Sequence, residues 1–287
     1  MDPLSILLAH TNPSAQLFFA GNLCLNSDSQ DYPVGGHLHL LRSGELTLHY
    51  EGAESRLLAE QTLIFFPSGL AHRMQPRQLG GCDLVCASVS FSQTATSPLK
   101  LALPDAVILP LRELPALEPL LTLLFDEAFT SRYGQQPVLT RLLETLLILL
   151  LRHMVENGLC QQGTLAGLSD PRLAKAIAAI HLRAEEKWTV ATLAKQAGMS
   201  RARFAAYFQM HIGMPPLAYL TQWRMLLAGQ QLLIGESIMQ VALSAGYSGS
   251  IAFSRAFERE FGLSPSRWLK IQQSEGKDYS PIYTRDH

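Results

Sequence analysis

The stretch from Gly246 to Pro265, GYSGSIAFSRAFEREFGLSP, decides the fold of the C-terminal part of this chain. Gly246 can adopt the left-handed conformation that ends a helix, and the hydroxyls of Ser248 and Ser250 can cap the first amides of the next helix. Three phenylalanines then recur every four residues, which predicts a buried stripe on one helix face. The other face carries small, polar and arginine side chains. The pattern therefore predicts a helix, a tight turn and a second helix suited to a DNA major groove.

The same pattern occurs about 48 or 49 residues earlier, which makes it an internal repeat. Alanine, glycine, serine, phenylalanine and proline recur in the same order, and the second turn has one extra residue. The matching pairs are Ala194 and Ala242, Gly198 and Gly246, Ser200 and Ser248, Phe204 and Phe253, Phe208 and Phe257, Gly213 and Gly262, and Pro216 and Pro265. The repeat predicts two helix-turn-helix units in tandem.

Residues from about 172 to 270 resemble the DNA-binding domain of the AraC/XylS family of bacterial transcription regulators. The segments that carry the resemblance are Trp188 to Ala194, the connecting segment around Arg224, and Ala242 to Pro265. This resemblance implies a sequence-specific regulator, an activator, that is not an enzyme. Its implied partners are promoter DNA and RNA polymerase.

The DNA-binding domain is expected to contain six helices. The first precedes both units, each unit then has a support helix and a reader helix, and a long connecting helix joins the units. The expected spans are Arg172 to Arg183, Val190 to Ala197, Arg201 to Gln209, Pro216 to Leu233, Ile238 to Ala245 and Ser250 to Phe261. Two readers in one chain can enter successive major grooves on one face of DNA.

In the second reader helix, the family positions that face bases are occupied by Ser250, Ile251, Ser254 and Arg255. Arg255 suits a bidentate contact to guanine, and Ile251 suits contact with a thymine methyl group. In the connecting helix, Arg224 is expected to contact a phosphate.

In the first reader helix, the matching positions are Ala202, Ala205 and Ala206. These alanines depart from the polar residues that the family pattern implies, so this helix lacks the side chains for hydrogen-bonded reading at those positions. Arg201 and Arg203 are expected instead to contact phosphate or to reach bases from the start of the helix.

Composition describes a globular protein with an uneven charge. The chain has 287 residues, of which 47% are hydrophobic, and a formal net charge of −1. Residues 171–270 hold 12 Lys and Arg against 5 Asp and Glu, a net of +7, whereas the remaining residues hold 11 against 19, a net of −8. The basic excess coincides with the repeated pattern, as expected for a domain that binds DNA.

The sequence predicts neither a signal peptide nor a membrane span. The N-terminus has no basic region followed by an apolar one, and the leucine-rich segment from Val138 to Val155 contains Arg141, Glu144 and Arg152. Four cysteines are too few and too scattered for a secreted disulfide framework. The expected location is a bacterial cytoplasm.

From about Leu17 to Phe91, short alternating apolar runs are separated by turn residues, which predicts a small β-barrel or a double-sheet jelly roll. The clearest strand candidates are Leu46 to Tyr50, Leu63 to Phe66 and Leu84 to Val89. The hairpin Ser43 to Leu48 and the turn Pro67 to His72 resemble two motifs of the cupin family. A cupin-like sensor ahead of the DNA-binding domain is the layout that the first resemblance implies.

His37, His39 and His72 are candidate ligands for a metal or an organic molecule. Two histidines at i and i+2 face one side of a strand, and a third on a neighbouring strand could complete a three-nitrogen site. The enzymatic cupins place an acidic ligand soon after the first two, whereas Glu45 falls on the hairpin after Gly44. The alternatives are a metal-dependent cupin enzyme fused to a DNA-binding domain, and histidines that satisfy backbone groups or line an organic pocket. No cofactor is expected.

Cys24, Cys82 and Cys86 are candidates for a redox switch. Thiolates near a cation or a turn amide become nucleophilic, and cysteines with close Cβ atoms form disulfides. Cys82 and Cys86 lie four apart on one predicted strand, too far apart to bridge. The chain also resembles the reactive-chlorine-responsive members of the family, whose cysteines fall at the places of Cys24 and Cys86, and this resemblance implies a disulfide between those two. The alternative is that the cysteines are small buried hydrophobic residues.

Two helices are expected after the strands, from Leu114 to Tyr133 and from Val138 to Asn157, with a break between them. Their apolar surface exceeds what one small barrel could cover, which favours a homodimer, and packing on the barrel within one chain is the alternative. The leucines concerned are Leu142, Leu146, Leu149 and Leu150.

The expected architecture is therefore α+β with two domains, a cupin-like β-barrel with two following helices and an all-α domain of two helix-turn-helix units. The expected boundaries are 1–112 for the sensor, 113–157 for the helical dimerisation element, 158–170 for a linker, 171–270 for the DNA-binding domain and 271–287 for a tail.

Overall fold

The computed structural model describes residues 2–24, 32, 35–91, 99 and 103–275, which form two compact units. The sheet unit contains the described residues from Thr11 to Ser169. The helical unit contains those from Asp170 to Glu275 together with the N-terminal segment up to His10. This division confirms the predicted α+β class, with a sheet domain ahead of an all-helical one. Most of the predicted tail, 271–287, lies outside the described residues.

The strands of the sheet unit form two antiparallel sheets. They are β1 (Pro13–Leu23), β2 (Gly36–Ser43), β3 (Leu46–Tyr50), β4 (Arg56–Leu58), β5 (Thr62–Phe66), β6 (His72–Pro76), β7 (Cys82–Phe91) and β8 (Val107–Pro110). The larger sheet has the order β1-β7-β2-β5-β8, and the smaller one has the order β4-β3-β6. Of the two predicted arrangements, this is the double-sheet one.

The core of the sheet unit lies between the two sheets. Leu41, Ile64 and Leu84 of the larger sheet belong to one buried cluster with Leu46 and Leu48 of the smaller sheet. Strands β2 and β7 are buried almost throughout because they lie in the interior of the larger sheet. Side chains on these two strands are therefore shielded from solvent.

Three helices complete the sheet unit: α2 (Glu118–Phe129), α3 (Gln135–Glu156) and α4 (Thr164–Ser169). Helix α3 packs on β1 and α2, and its Leu146 and Leu150 are fully buried in the monomer, whereas Leu142 and Leu149 are half-buried. Intramolecular packing therefore accounts for part of the predicted dimer surface. Helix α4 lies within the predicted linker, and most of its residues are buried, so this segment is packed structure.

The helical unit begins with α1 (Pro3–Thr11). It continues with α5 (Pro171–Leu182), α6 (Val190–Gln196), α7 (Arg201–Ile212), α8 (Pro216–Leu233), α9 (Ile238–Ser244), α10 (Ser250–Phe261) and α11 (Pro265–Glu275). The spans of α8 and α10 are those that the sequence predicts. Among the described residues, no helix combines the length and hydropathy needed to cross a bilayer.

Helix α1 belongs to the helical unit up to His10, although the sequence placed it in the sensor. The His10 ring meets Trp223 edge-on with centroids 5.5 Å apart, and its Nδ1 lies 3.0 Å from Oε1 of Gln230. The amide nitrogen of Gln230 also donates to the His10 carbonyl. Beneath this contact, His181 stacks on Trp223 at 3.8 Å, and burial lowers the pKa of His181 to about 3. An aromatic cluster thus joins α1, α5 and α8.

Candidate DNA-binding site

The first helix-turn-helix unit consists of α6 and α7. Thr189 begins α6 in a capping box, in which its hydroxyl accepts from the Thr192 amide and the Thr192 hydroxyl accepts from the Thr189 amide. The turn passes through Gly198 at φ 64°. Phe204 and Phe208 on α7 are fully buried. The aromatic core thus orients α7 so that its opposite face is exposed.

The second unit, α9 and α10, repeats this construction. Ser237 forms a capping box with Gln240, and the turn passes through Gly246 at φ 79°. Phe253 and Phe257 are fully buried, as their counterparts are. The recurrence of caps, left-handed glycines and phenylalanines accounts for the internal repeat in the sequence.

The serines predicted to cap the reader helices act differently. Ser200 stands at the N-cap of α7, but its side chain accepts no capping hydrogen bond. At α10 the N-cap is Gly249, and Ser250 is the first helical residue. The extra residue in the second turn therefore places the N-cap at Gly249, one position past Ser248.

The predicted contact residues lie on the surface of the two readers. On α10, Ile251 is 73% exposed, Arg255 is also exposed, and Ser250 and Ser254 are half-buried. Ile251 and Arg255 therefore lie on the face of α10 away from its buried phenylalanines.

On α7, the exposed predicted residues are Arg201, Ala202, Arg203 and Ala206, and Ala205 is half-buried. The three alanines leave this face nearly flat. Close approach to DNA is therefore sterically open, and the two arginines at the start of α7 supply its charge.

Helix α8 connects the two units and packs against both. It contacts α6 and α7 of the first unit and α9 and α10 of the second. Its Tyr219, Trp223 and Met225 are fully buried. At about 1.5 Å per residue, its 18 residues span roughly 27 Å.

Arg224 on α8, predicted to contact a phosphate, makes two hydrogen bonds within the helical unit. Its Nε donates to the Ala184 carbonyl at 2.6 Å, and its Nη2 donates to the Glu186 carbonyl at 2.8 Å. Both carbonyls lie in the loop between α5 and α6. The half-buried guanidinium therefore fastens this loop to α8.

A polar cluster that sequence reasoning missed supports α7. Asp170 caps α5 by accepting from the amides of Arg172 and Leu173, and it also accepts from the Tyr207 hydroxyl at 2.6 Å. Burial raises the pKa of the Asp170 carboxyl, but the hydrogen bonds from Arg172, Tyr207 and the amides outweigh burial and hold the pKa well below its usual value. The sequence signal was the helix-start pair Asp170-Pro171.

Of the predicted redox cysteines, one follows β1 and two lie on β7. Cys24 follows β1 and is exposed, whereas Cys82 and Cys86 are 1% and 2% exposed. In the register of these strands, Cys86 pairs with Phe19. Cys24 is five positions beyond Phe19 along the chain, about 16 Å at 3.3 Å per residue, whereas a disulfide needs Cα atoms within about 7 Å. The structure therefore does not bring Cys24 and Cys86 together.

The three predicted histidines do come together in the sheet unit. Nε2 of His39 and Nε2 of His72 lie 2.8 Å apart, and Nδ1 of His72 donates to the Leu70 carbonyl at 2.7 Å. Burial lowers the pKa of His72 to about 4. Burial, with the neighbouring His72 and His37, also lowers the pKa of His39 well below its usual value. His39 and His72 are therefore neutral at neutral pH.

Aromatic rings surround this histidine cluster. Tyr32 and Phe66 stack on His72 with centroids 4.2 and 4.3 Å away, and Phe18 meets His39 edge-on. Within the residues that the structure describes, no three His, Cys, Asp or Glu side chains are placed to hold a metal ion. The Nε2 atoms of His39 and His72 are both engaged in their mutual hydrogen bond.

Two family comparisons match this architecture. Residues 2–156 match the family described as Cupin, and residues 193–271 match the helix-turn-helix domain. An uncharacterized HTH-type transcriptional regulator of Haemophilus influenzae is 30% identical over 260 residues, which cover 82% of this chain and 86% of that protein.

Two further relatives are informative. The RCS-specific HTH-type transcriptional activator RclR of Escherichia coli is 29% identical over 279 residues, 93% of this chain and 97% of that protein. The HTH-type transcriptional regulator AlkR of Acinetobacter baylyi is 40% identical over 138 residues, which span 46% of this chain and 45% of that protein.

Proposed function

Because this chain belongs to the AraC/XylS family of DNA-binding transcriptional regulators, with a cupin domain ahead of its helix-turn-helix domain, we propose that α7 and α10 read promoter DNA and that an oxidant controls its activity. The observation that carries the reading mode is that both readers pack on one helix, α8, with their predicted contact residues at the surface. This arrangement suits two successive major grooves on one face of the duplex.

The two readers divide the work. Arg255 and Ile251 on α10 supply sequence preference, through guanine and a thymine methyl group. Arg201 and Arg203 on α7 supply mainly phosphate attraction, which depends on salt and is insensitive to sequence. The second half of the promoter site is thus read more stringently than the first.

The experiment uses a DNA site selected from a random pool by the purified protein. Arg255→Ala is expected to lose about 1–3 kcal/mol of preference for this site over a scrambled duplex, while weak, salt-sensitive binding persists. The measurement is the dissociation constant for both duplexes over a range of salt concentrations.

The matched control is Arg259→Ala, which removes the same charge one turn later on α10 from another exposed position. It is expected to weaken binding to both duplexes alike. If Arg255→Ala keeps the full preference, Arg255 does not read the site.

We expect activation of transcription to require RNA polymerase beside the bound regulator.

We also expect the protein to form a homodimer. Helix α3 supports the dimer because Val138 is 42% exposed and Leu142 and Leu149 on the same face are only half-buried. Leu142→Glu with Leu149→Glu is expected to shift the mass in solution from dimer to monomer, while Arg77→Glu, at an exposed charged position outside α3, leaves it unchanged. A monomeric unsubstituted protein would contradict this part of the proposal.

The runner-up signal is a small organic effector. The aromatic rings around His39 and His72 favour it, since such a lining suits an apolar or aromatic molecule. Effector candidates that raise the unfolding temperature of the unsubstituted protein but not of His72→Phe would favour this signal over oxidation.

We expect this chain to regulate transcription without enzymatic turnover and to act in the cytoplasm, where promoter DNA is accessible.

A further inference from the structure

A pocket in the sheet unit lies between the end of β2, the segment that follows β8 and helix α2. Its volume is about 610 Å³, and Arg42, Leu111 and Leu121 are among the residues that line it. Side chains alternate between the two faces of a strand, and Leu41 lies in the core between the two sheets. Arg42 and this pocket are therefore on the outer face of the larger sheet.

Strand β2 is irregular at Arg42. Leu41 pairs with Leu84 of β7 and Ser43 pairs with Asp83, so Arg42 is an extra residue between two successive pairs. The pairing of β2 with β5 also ends at Leu41. A bulged residue leaves the ladder, and its side chain takes a direction that the regular strand would not give it. The irregularity thus directs Arg42 towards α2.

The guanidinium of Arg42 rests on an aromatic ring. Its Cζ lies 4.5 Å from the centroid of the Phe129 ring, at the end of α2, which is a cation–π contact. Arg42 is half-buried, and no residue that the structure describes forms an ion pair or a hydrogen bond with its side chain. Arg112, the other cation in the lining, is paired with Glu60. The N–H donors of Arg42 are therefore available to a ligand.

The lining is apolar in its depth and polar at its rim. Leu111, Leu121 and Phe125 are buried side chains, and Phe125 precedes Phe129 by about one turn on the same face of α2. At the rim, the exposed Thr122 offers a hydroxyl group. The pocket therefore suits a molecule with one charged end and an apolar body.

Acidic side chains at the rim restrict the charge of such a molecule. Glu118 and Asp126 are exposed parts of the lining, and Asp126 is paired with Arg132 at 2.9 Å. A ligand with several negative charges would be repelled by these carboxylates, whereas a single carboxylate can lie against Arg42. The charge pattern thus favours a monoanion.

We propose that this pocket binds a small organic monocarboxylate, whose carboxylate pairs with Arg42 and whose apolar body lies against Leu121 and Phe125. A guanidinium offers two parallel N–H donors to a carboxylate, which a neutral amide cannot match. The volume is in the range of small-molecule sites. Because His39 lies on the same face of β2 as Leu41, this site is on the opposite face of the larger sheet from the histidine cluster.

The test is isothermal titration of the full-length protein with phenylacetate and octanoate. Phenylacetamide and octanamide are the neutral counterparts of similar shape, and the acids are expected to bind at least about 10-fold more tightly. Phthalate and inorganic phosphate are expected to bind more weakly than the acids. Equal affinity for acids and amides, tighter binding of phthalate or phosphate, or no binding of either acid would overturn the proposal.

Variants locate the carboxylate. Arg42→Gln is expected to weaken binding of the acids by roughly 10- to 100-fold and to leave binding of the amides unchanged. Arg42→Lys is expected to restore part of the affinity, because it returns the charge without the planar pair of donors. The matched control is Arg56→Gln, which removes the same charge from an exposed position on β4 and is expected to leave the affinity unchanged. Full affinity in Arg42→Gln refutes the assignment.

A second pair of variants locates the apolar body and keeps Arg42 in place. Thr122→Phe is expected to fill the pocket and to weaken the binding of acids and amides alike, while His72→Phe, on the other face of the sheet, leaves both unchanged. Circular dichroism during heating checks that each variant is folded. Unchanged binding in Thr122→Phe, or binding lost in His72→Phe, would also overturn the proposal. These titrations contain no DNA, so their outcome is independent of whether α7 and α10 read a promoter.

Discussion

Gly198 and Gly246 occupy the same position in the two helix-turn-helix units, with φ values of 64° and 79°. Their surroundings differ. A Cβ on Gly198 would meet no atom within 4 Å, whereas one on Gly246 would lie 2.9 Å from Nη2 of Arg224 and 2.9 Å from the Glu185 carbonyl oxygen. A glycine is therefore required at 246 for both the backbone conformation and the close packing, whereas at 198 it is required for the backbone conformation alone.

This difference predicts unequal costs for one substitution. Gly198→Ala is expected to lower the free energy of unfolding by about 1 kcal/mol, because a residue with a Cβ is strained in the left-handed backbone conformation. Gly246→Ala is expected to cost more, about 2–3 kcal/mol, because the added methyl also displaces Arg224 from the loop it fastens. Tryptophan fluorescence is the measurement, since all three tryptophans lie in the helical unit. Equal costs would contradict the packing role.

Asp170 gives a prediction with a pH dependence. Its folded pKa is depressed, so the stabilisation is fully present above the unfolded pKa of about 4 and is lost as the pH falls through the lower folded pKa. Asp170→Asn is expected to lower the free energy of unfolding by about 1–3 kcal/mol at pH 7, since the bonds from Arg172 and Tyr207 lose their charged acceptor.

Denaturant unfolding followed by fluorescence at several pH values measures this effect. The gap between Asp170→Asn and the unsubstituted protein is expected to stay constant from pH 7 to pH 5 and to shrink below about pH 4. Asp105→Asn, at an exposed carboxylate, is the control and is expected to leave stability unchanged. A gap that persists undiminished at low pH would show that the charge of Asp170 is not the cause.

At the residue scale, the sequence predicted types of side chain better than their partners. The surface positions of Ile251 and Arg255 follow from helical spacing, because the buried phenylalanines leave only one face for them. The hydrogen-bond partners of Arg224 and the strand positions opposite the cysteines could not be predicted from the sequence. Their roles depend on which carbonyl or which strand position lies opposite, and register is set by the whole sheet or bundle.

At the scale of elements, α1 couples the beginning of the chain to the helical unit through His10. Its ring touches Trp223, and Gln230 bonds to both its side chain and its carbonyl. A double-mutant cycle with His10→Ala and Gln230→Ala is expected to give a coupling free energy of about 0.5–2 kcal/mol. The readout is fluorescence-detected unfolding, which reports on Trp223 directly. Additive effects of the two substitutions would contradict this contact.

The sequence predicted α8 and α10 to the residue but gave no sign of α1. Pro216 and Leu233 bound α8 because proline starts a helix and the following Gly235 ends it. Helix α1 is short and apolar on more than one side, so no amphipathic pattern shows which part of the protein covers it. Its packing depends on tertiary contacts, which cannot be read from the local sequence.

At the scale of the whole molecule, the division of charge agrees with the division into units. Residues 171–270 carry a net charge of +7, and the rest of the chain carries −8. A polyanion such as DNA is attracted to the basic part of the chain and repelled by the acidic part, so we expect binding through the helical unit alone.

The rigid connection through α8 leads to a prediction about DNA spacing. If one helix fixes the distance between α7 and α10, a selected site with 5 base pairs inserted between its two halves places them on opposite faces, and an insertion of 10 restores the face but not the distance. Both insertions are expected to weaken binding by about 10²- to 10³-fold, since only one reader can engage. A flexible connection would instead recover affinity at 10 base pairs.

The dissociation constants of the original and inserted duplexes measure this, and spacer bases changed without a change of length serve as control. The same insertions are also tested with the Arg255→Ala protein. In that protein, α10 no longer discriminates, so an insertion is expected to cost much less than it costs the unsubstituted protein. Recovery of full affinity at 10 base pairs would mean that the readers move independently, and the role of α8 as a fixed spacer would have to be abandoned.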